Sequence, residues 1–565
     1  EFKIIEGLTY TLNTFAESRN QFFGRFTSSD YIDGDPSTAQ IQKQSSTNYL
    51  VDNILNFKRD FGKHGINATF VYGFQNFEYE QLDAFSDKLA TDLLGYNGID
   101  DTATDDQRIT WDTDEGGRAY YVGRVGYDYD DRYVVTLTLR RDGSSRFVGD
   151  NKWGNFPSAS VAWNVHNESF WGDDSLFDFL KLRLSYGELG NDRIGTYRYL
   201  ANPSVVRSTI LVDQDGDPNT TDDVVEENIV GYAKNTLANP YLKWETSKQV
   251  NIGVDFGLFN NRLSATIDVY KTKTTDILLP EIIPVINGYE SYINNIGETE
   301  NRGAEVTLRG TIIDGDDFKW DAAINWATDQ NEIVRLSQGN VDENGQPVDD
   351  PANGWYIGQS IGVIYNYDYQ GVWQTEEAAD AAVFNQVPGD AKFRDVNGDG
   401  NITPGEDRVF LGNTTPDWYG GITNTFSYKG FELSVLLEAV EGIQRVNNFI
   451  GGYTGRGNQV NIDYWTPDNP SNAYPRVGGS GNYDGGRGNA VKTQDASFLA
   501  LRNISLSYNV PKSFLDRTFV KGMSLYLRGN NLKYWTDFEN SYSPEVGIGS
   551  YPILRTWTLG ASITF

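Results

Sequence analysis

The chain has 565 residues, a formal net charge of −31 and no cysteine. Without cysteine there is no disulfide framework, thiolate metal site or thiol nucleophile. So large an acidic excess excludes nucleic acid as a partner, because that binding needs clustered Lys and Arg.

Mean hydropathy is −0.50, and no run approaches the ~18 consecutive apolar residues of a membrane helix. A membrane β-barrel evades that test, since only every second residue of each strand faces lipid. The 34 Tyr and 13 Trp suit the aromatic girdles of such a barrel. Only His64 and His166 could serve as imidazole ligands or bases, and neither has a Ser or Cys partner motif, so both read as structural.

In chain order the sequence reads as pairs of strands. Glu1 to Ile5 has the pattern of a strand already under way, with no signal peptide ahead of it, which implies further polypeptide upstream. Ile66, Ala68, Phe70, Tyr72 and Phe74 alternate with Asn67, Thr69, Val71, Gly73 and Gln75. Tyr133, Val135, Leu137 and Leu139 alternate with Val134, Thr136, Thr138 and Arg140. The same period of two recurs at Asn251 to Phe256, Leu263 to Tyr270 and Asn503 to Val510. It ends at Arg555 to Phe565, where Trp557, Leu559, Ala561, Ile563 and Phe565 share one face against Thr556, Thr558, Gly560, Ser562 and Thr564. A terminal aromatic strand of this kind resembles the insertion signal of bacterial outer-membrane barrels. Taken alone, it also fits the last strand of a soluble β-sandwich.

The connections decide between these. Short turns fall near Glu6-Gly7, Asp60 to His64, Asp128 to Asp131, Glu168 to Phe179, Leu258 to Asn261, Asp314 to Asp317, Tyr428 to Gly430 and Pro511 to Val520. Between them lie long Gly/Asp/Asn-rich loops, roughly Phe77 to Ala119, Gly190 to Thr246, Leu279 to Asn301, Gln338 to Asp417 and Val440 to Asp495. Short periplasmic turns alternating with long external loops are the asymmetry of an outer-membrane barrel. Counting back from the final strand gives about 16 strands plus the fragment Glu1 to Ile5. The expected fold is therefore an all-β, antiparallel transmembrane barrel over residues 1–565. Phe565 is expected on the periplasmic side.

Several stretches resemble the SusC-like (RagA-like) TonB-dependent outer-membrane transporters. They include RDGSSRF at Arg141 to Phe147, WGNFPS at Trp153 to Ser158, AWNVHNESF at Ala162 to Phe170 and LKLRLSYGELGND at Leu180 to Asp192. NPYLKWET at Asn239 to Thr246, NRGAEVTLRG at Asn301 to Gly310 and YQGVWQT at Tyr369 to Thr375 follow. YWTPDNPSNAYPR at Tyr464 to Arg476, ASFLALRNISLSY at Ala496 to Tyr508 and RGNNLKYWT at Arg528 to Thr536 complete the series in the family's order. Ala500 stands where the family more often has Arg. The resemblance implies a 22-strand barrel of which this chain supplies the C-terminal part, with a plug and first strands elsewhere. It also implies energy from TonB acting through that plug, a SusD-like surface lipoprotein as a lid, and oligosaccharides or oligopeptides as cargo. The alternative is a structural or docking barrel within a secretion or surface-assembly complex. No enzymatic constellation is evident.

The sharpest local motif is DVNGDGNITPGE, Asp395 to Glu406. Asp395, Asn397 and Asp399 occupy positions 1, 3 and 5 of a Ca²⁺ loop, with Gly400 at 6. Asn401 offers its carbonyl at 7, Thr403 stands at 9 and Glu406 at 12. Ca²⁺ is the expected ion, stiffening an external loop. Trp355, Tyr365, Trp373, Tyr453, Tyr464, Trp465, Tyr474 and Tyr483 could stack on cargo, but loop packing is the stronger expectation for each one. The run Gly478 to Gly488 lacks the strand–helix setting of a phosphate loop.

Overall fold

The computed structural model describes residues 2–29, 34–100, 107–172, 175–201, 203–213, 224–234, 237–283, 286, 289, 291–336, 346–453, 462–478, 486–516, 518–539, 543–547 and 550–565. The first strands are β1 (Phe2–Ile5), β2 (Leu8–Thr27), β3 (Thr38–Phe61) and β4 (His64–Asp87). They continue as β5 (Gln107–Tyr129), β6 (Tyr133–Ser144), β7 (Trp153–Asn164) and β8 (Phe177–Asn191). A separate hairpin, β9 (Pro203–Asp213) with β10 (Val224–Lys234), precedes β11 (Glu245–Leu258), β12 (Leu263–Ile282), β13 (Ser291–Asp314) and β14 (Phe318–Arg335). Four short loop strands follow: β15 (Val363–Tyr367), β16 (Tyr369–Val372), β17 (Ala391–Phe393) and β18 (Arg408–Asn413). Then come β19 (Trp418–Tyr428), β20 (Phe431–Glu441), β21 (Gln444–Val446) and β22 (Thr493–Asp495). The chain closes with β23 (Phe498–Asn509), β24 (Gly522–Trp535) and β25 (Thr556–Thr564).

Seventeen of these form one sheet in which every ladder is antiparallel and strands are neighbours in chain order. That matches the expected 16 strands plus the opening fragment. Among the described residues no ladder joins β1 or β2 to β25. The short connections lie at one end of the sheet. Gly7 (φ +82°) and Gly430 (φ +88°) serve two of them, and a Cβ on Gly7 would sit 2.5 Å from the Lys58 carbonyl oxygen. Only glycine fits there.

Cross-strand register sorts the side chains into two faces. One row runs Leu55, Phe70, Gly123, Leu139 and Pro157 across β3 to β7. Another runs Leu182, Val254, Ile267, Val306 and Trp326 across β8 and β11 to β14. These apolar side chains are not buried in protein: Phe70 is 50%, Leu139 55% and Leu182 37% exposed. In water that would be prohibitive over a whole sheet; it is the surface a bilayer covers. Aromatic pairs flank the band on the turn side, such as Tyr133 with Trp163, Trp320 with Phe426 and Phe431 with Tyr508. On the loop side Tyr72 stacks on Tyr121, which meets Trp153. The opposite face carries Thr136, Thr138, Ser158, Ser160, Ser185 and Asn251, with paired charges.

The stretch expected as a loop from Phe77 to Ala119 is mostly sheet. β4 runs on to Asp87 and β5 starts at Gln107, in register from Phe77–Gly116 to Ser86–Gln107. Beyond the bilayer band both faces meet water, so the apolar/polar alternation disappears while the backbone ladder continues. The loop from Leu279 to Asn301 shortens in the same way, since β12 and β13 pair as far as Ile282 and Ser291.

Candidate functional site

The inner face near the loop end is where the motifs meet. Arg141 to Phe147 ends β6, Trp153 to Ser158 opens β7, and Asn239 to Thr246 leads into β11. Their apolar members, Phe147, Phe156, Leu242 and Trp244, form one buried cluster. Phe147 and Phe156 both pack on the Trp244 ring, with centroids 5.5 Å away in each case. The Trp244 indole donates to the Lys152 carbonyl at 3.2 Å. Sequence reading had these motifs only as resemblance; the structure makes them one seam that ties two connections to the wall.

Below the seam lies a cavity of about 850 Å³, open to the lumen. Its two arginines each fork onto a carboxylate. Arg140 donates to both Asp142 oxygens at 2.7 and 2.8 Å. Arg118 makes a similar fork to Asp192, with Nε at 3.0 Å from Oδ2. Asp192 is only 3% exposed and also faces Arg146 at 3.7 Å. The Arg140 guanidinium lies over the Tyr120 ring at 4.6 Å, and the Tyr120 hydroxyl donates to Asp52. The floor is hydroxylated by Thr136, Thr138, Ser158, Ser160 and Ser185. Further round the wall, Arg183 forks onto both Asp255 and Asp268 at 2.8 to 3.1 Å. Such a surface is wetted and offers hydrogen bonds, with its arginines held by carboxylates.

The two longest connections fold onto each other over the loop end. Tyr367, Ala391, Phe393, Ile450, Tyr474, Ala490 and Val491 form their shared core. Most of the aromatics weighed as cargo contacts are packing residues. Trp373 stacks on Phe384 and donates to Gln386, Trp465 donates to Gln374, and Tyr365 meets Tyr356 and Phe410. Tyr464 packs on the core, and Trp355 exchanges backbone hydrogen bonds with Asp350. The Tyr474 hydroxyl donates to Glu539, and burial beside that carboxylate pushes its pKa up. Tyr483, the Tyr453 side chain and residues 479–485 lie outside the described residues. His64 Nδ1 is 2.7 Å from the Tyr127 hydroxyl, and His166 donates to the Leu180 carbonyl at 3.1 Å.

The Asp395 to Glu406 loop sits on this cap and is tightly bonded within itself. Asp395 accepts from the Gly398 and Gly400 amides at 2.7 and 2.9 Å. Asp399 accepts from the Asn401 amide, and the Asn397 amide group bridges Asp399 and Glu406 at 3.2 Å each. The Thr403 hydroxyl lies 3.4 Å from Glu406. Among the described residues no group of three or more His, Cys, Asp or Glu side chains is gathered to hold a metal. Sequence reading passed over Asp407. It is fully buried and accepts from the Val396 and Thr403 amides at 2.9 and 2.7 Å, so it closes the loop. A second acid directly after Glu406 was the available signal.

A model of the TonB dependent receptor-like β-barrel matches residues 2–532. This chain belongs to that family. TonB-dependent receptor P3 of Formosa agariphila is 31% identical over 596 residues, covering 100% of this chain and 57% of that protein. TonB-dependent receptor SusC of Bacteroides thetaiotaomicron is 31% identical over 464 residues, covering 79% of this chain and 43% of SusC. The chain thus spans little more than half the length of curated relatives it matches. The RagAB peptide transporter shares the fold, with a TM-score of 0.78 at 24% identity over 100% of this chain and 60% of that one. The SusC-like, RagA-like resemblance read from the motifs is thereby borne out. Members of this family are transporters and receptors of the Gram-negative outer membrane.

Proposed function

We propose that this chain is barrel wall of a SusC-like nutrient importer. The short turns and Phe565 face the periplasm, and the long loops face outward. The reading is carried by one observation: apolar rows cover one face of the sheet while hydroxyls and neutralised ion pairs cover the other. In the working protein a plug occupies the lumen and TonB drives it, and a SusD-like lipoprotein lies over the loop end. Oligosaccharides or oligopeptides are the cargo, and no covalent chemistry is asked of this chain. Lid and loops take hold of the ligand, and movement of the plug opens the path. The test is transport by the full-length protein in liposomes. Uptake that requires TonB supports the reading; free passage of small solutes without TonB overturns it.

We also propose that the Asp395 loop takes Ca²⁺. Support comes from Gly400, whose φ of +82° is the sharp turn wanted at position 6, and from the Asn397 side-chain amide, which already brings Asp399 and Glu406 within hydrogen-bond reach of one group. The Asn401 carbonyl and Thr403 would complete the donor set. Calcium would then neutralise carboxylates and stiffen the cap.

A further inference from the structure

The inner face does not stop at the bilayer band. Leu50, Gln75 and Arg118 line the lumenal cavity, and the ladders of β2 to β5 carry that face onward without a bulge. Three successive rows on it run Arg19, Ser46, Tyr79, Asp114; then Gln21, Gln44, Gln81, Asp112; then Phe23, Gln42, Asp83, Thr110. Gln81 and Asp83 stand nine and eleven residues past Tyr72, roughly 30–35 Å along the strand. The outward side of the same strands differs in kind. Phe22, Lys43, Leu82 and Trp111 share one row there, and Gly24, Ile41, Ala84 and Ile109 the next. In these rows the amides are gathered on the lumenal side.

The amides hold one another in place. Gln44 donates to Gln42 and to Gln81 at 3.0 Å each, and the Tyr79 hydroxyl donates to Gln81. Asp83 accepts from Gln40 at 2.9 and 3.1 Å and from Gln42 at 3.4 Å. Among the described residues no cation pairs with it. A carboxylate held only by neutral amides has lone pairs left for further donors, and the bonds it accepts are charge-assisted. Directly beside Gln42 on the neighbouring strand, the Phe23 ring is 48% exposed. An open aromatic ring thus stands in line with oriented amides and a carboxylate.

We propose that this rack binds a neutral oligosaccharide above the lumen. Phe23 covers the C–H face of a sugar ring, Gln42, Gln44 and Gln81 exchange hydrogen bonds with hydroxyls, and Asp83 accepts from a vicinal pair of them. The proposal rests on the importer reading and narrows its cargo from two classes to one. Three features select a glycan over a peptide. A peptide docks by adding to a free strand edge, and β3 and β4 offer none, since both are laddered on each side through these rows. Hydroxyls donate and accept alike, as amides do, so the two surfaces match without charge. Neighbouring strands lie about 4.8 Å apart, close to the length of one pyranose unit, so a chain lying across β2 to β4 meets one polar group per sugar.

The test uses the full-length protein in detergent, with retained ligand read by native mass spectrometry. The probes are a library of neutral hexose and pentose oligosaccharides and a library of uncharged peptides of matching mass. Wild type is expected to retain at least one oligosaccharide. Gln44→Leu/Gln81→Leu/Asp83→Leu is expected to retain it at least about tenfold less, as the loss of two or more hydrogen bonds requires. Lys43→Gln, on the outward side, is expected to change nothing. Should the triple variant not fold, Phe23→Ala carries the test with a smaller loss, because it trims a half-exposed ring and leaves the ladder alone. Retention of peptides in place of glycans, retention of neither, or equal retention by the rack variants overturns the proposal. TonB-driven uptake in liposomes is measured alongside. Uptake that needs TonB, with glycan retention indifferent to the rack variants, overturns this proposal alone. Free passage without TonB overturns the importer reading, whereas loss of glycan retention in the variants would still assign the rack its ligand.

Discussion

The wall and the cap treat the same kinds of residue in opposite ways. In the wall, Phe70, Leu139, Val269 and Leu559 stand exposed, and the strands are held by long backbone ladders. In the cap, Tyr367, Phe393, Ile450 and Tyr474 are buried against each other, and the strands are only three to six residues long. The difference is one of solvent. Hydrocarbon supplies the wall's apolar surroundings, so a strand there needs no side-chain partner, but it must satisfy every backbone group. The cap stands in water and has to build its own core.

The largest effect expected is in the cap. Phe393→Ala removes a ring 5% exposed that packs on Tyr367 and Tyr369, at a cost of about 3–5 kcal/mol. Limited proteolysis should then cut within residues 346–495 while the wall stays resistant; cleavage throughout the chain would mean that the two regions are not separate units. Next comes the wall. Leu137→Arg on the outward face, midway between the Tyr133 and Arg141 ends of the band, should cost about 2–4 kcal/mol near the bilayer midplane, whereas Thr138→Arg on the facing side should leave folding in vesicles nearly unchanged. Equal tolerance at both positions would erase the distinction between the faces.

Asp407→Ala should follow, at about 1–3 kcal/mol, by stranding the Val396 and Thr403 amides. Its readout is faster backbone hydrogen exchange over 395–407. Calcium sharpens the same region: protection of Gln374 to Arg408 from protease is expected to rise with Ca²⁺ and fall with chelator, and equal cleavage in both would remove the ion from the account. The smallest effect is at Glu377. The Gln374 amide and then Lys392 hold its carboxyl below the usual range. A depressed carboxyl lends stability above its unfolded value of about 4.3 and loses it as pH falls through the lower folded value. Hydrogen exchange over Thr375 to Val383 should therefore quicken on acidification below about pH 4 in wild type, and less so in Glu377→Gln.

The wall was legible because lipid imposes a rule on every second residue. Leu137 and Leu139 against Thr138 and Arg140 announce both strand and faces, and the eight short turns were found in place. Where both faces meet water that rule lapses, so Phe77 to Ala119 read as loop although its ladder persists to Ser86–Gln107. The cap was illegible for another reason. Tyr474 meets Glu539 and Phe393 meets Tyr367 only after two distant loops converge, and no local period records that. Around the Ca²⁺ motif the spacing was plain, yet Asp407 was missed because its work is to hold two amides and not an ion.

The most direct measurement is site-directed spin labelling of β6, in a stretch of 565 residues with no cysteine of its own. Single spin labels placed at Val135→Cys through Arg140→Cys in the full-length protein in vesicles would report access to oxygen, which concentrates in lipid, and to a water-soluble nickel reagent. The account predicts strict alternation, with oxygen favoured at Val135, Leu137 and Leu139 and the nickel reagent at Thr136, Thr138 and Arg140. Uniform access of the nickel reagent along β6 would contradict it, and the outward rows would then be covered by protein or water instead of a bilayer.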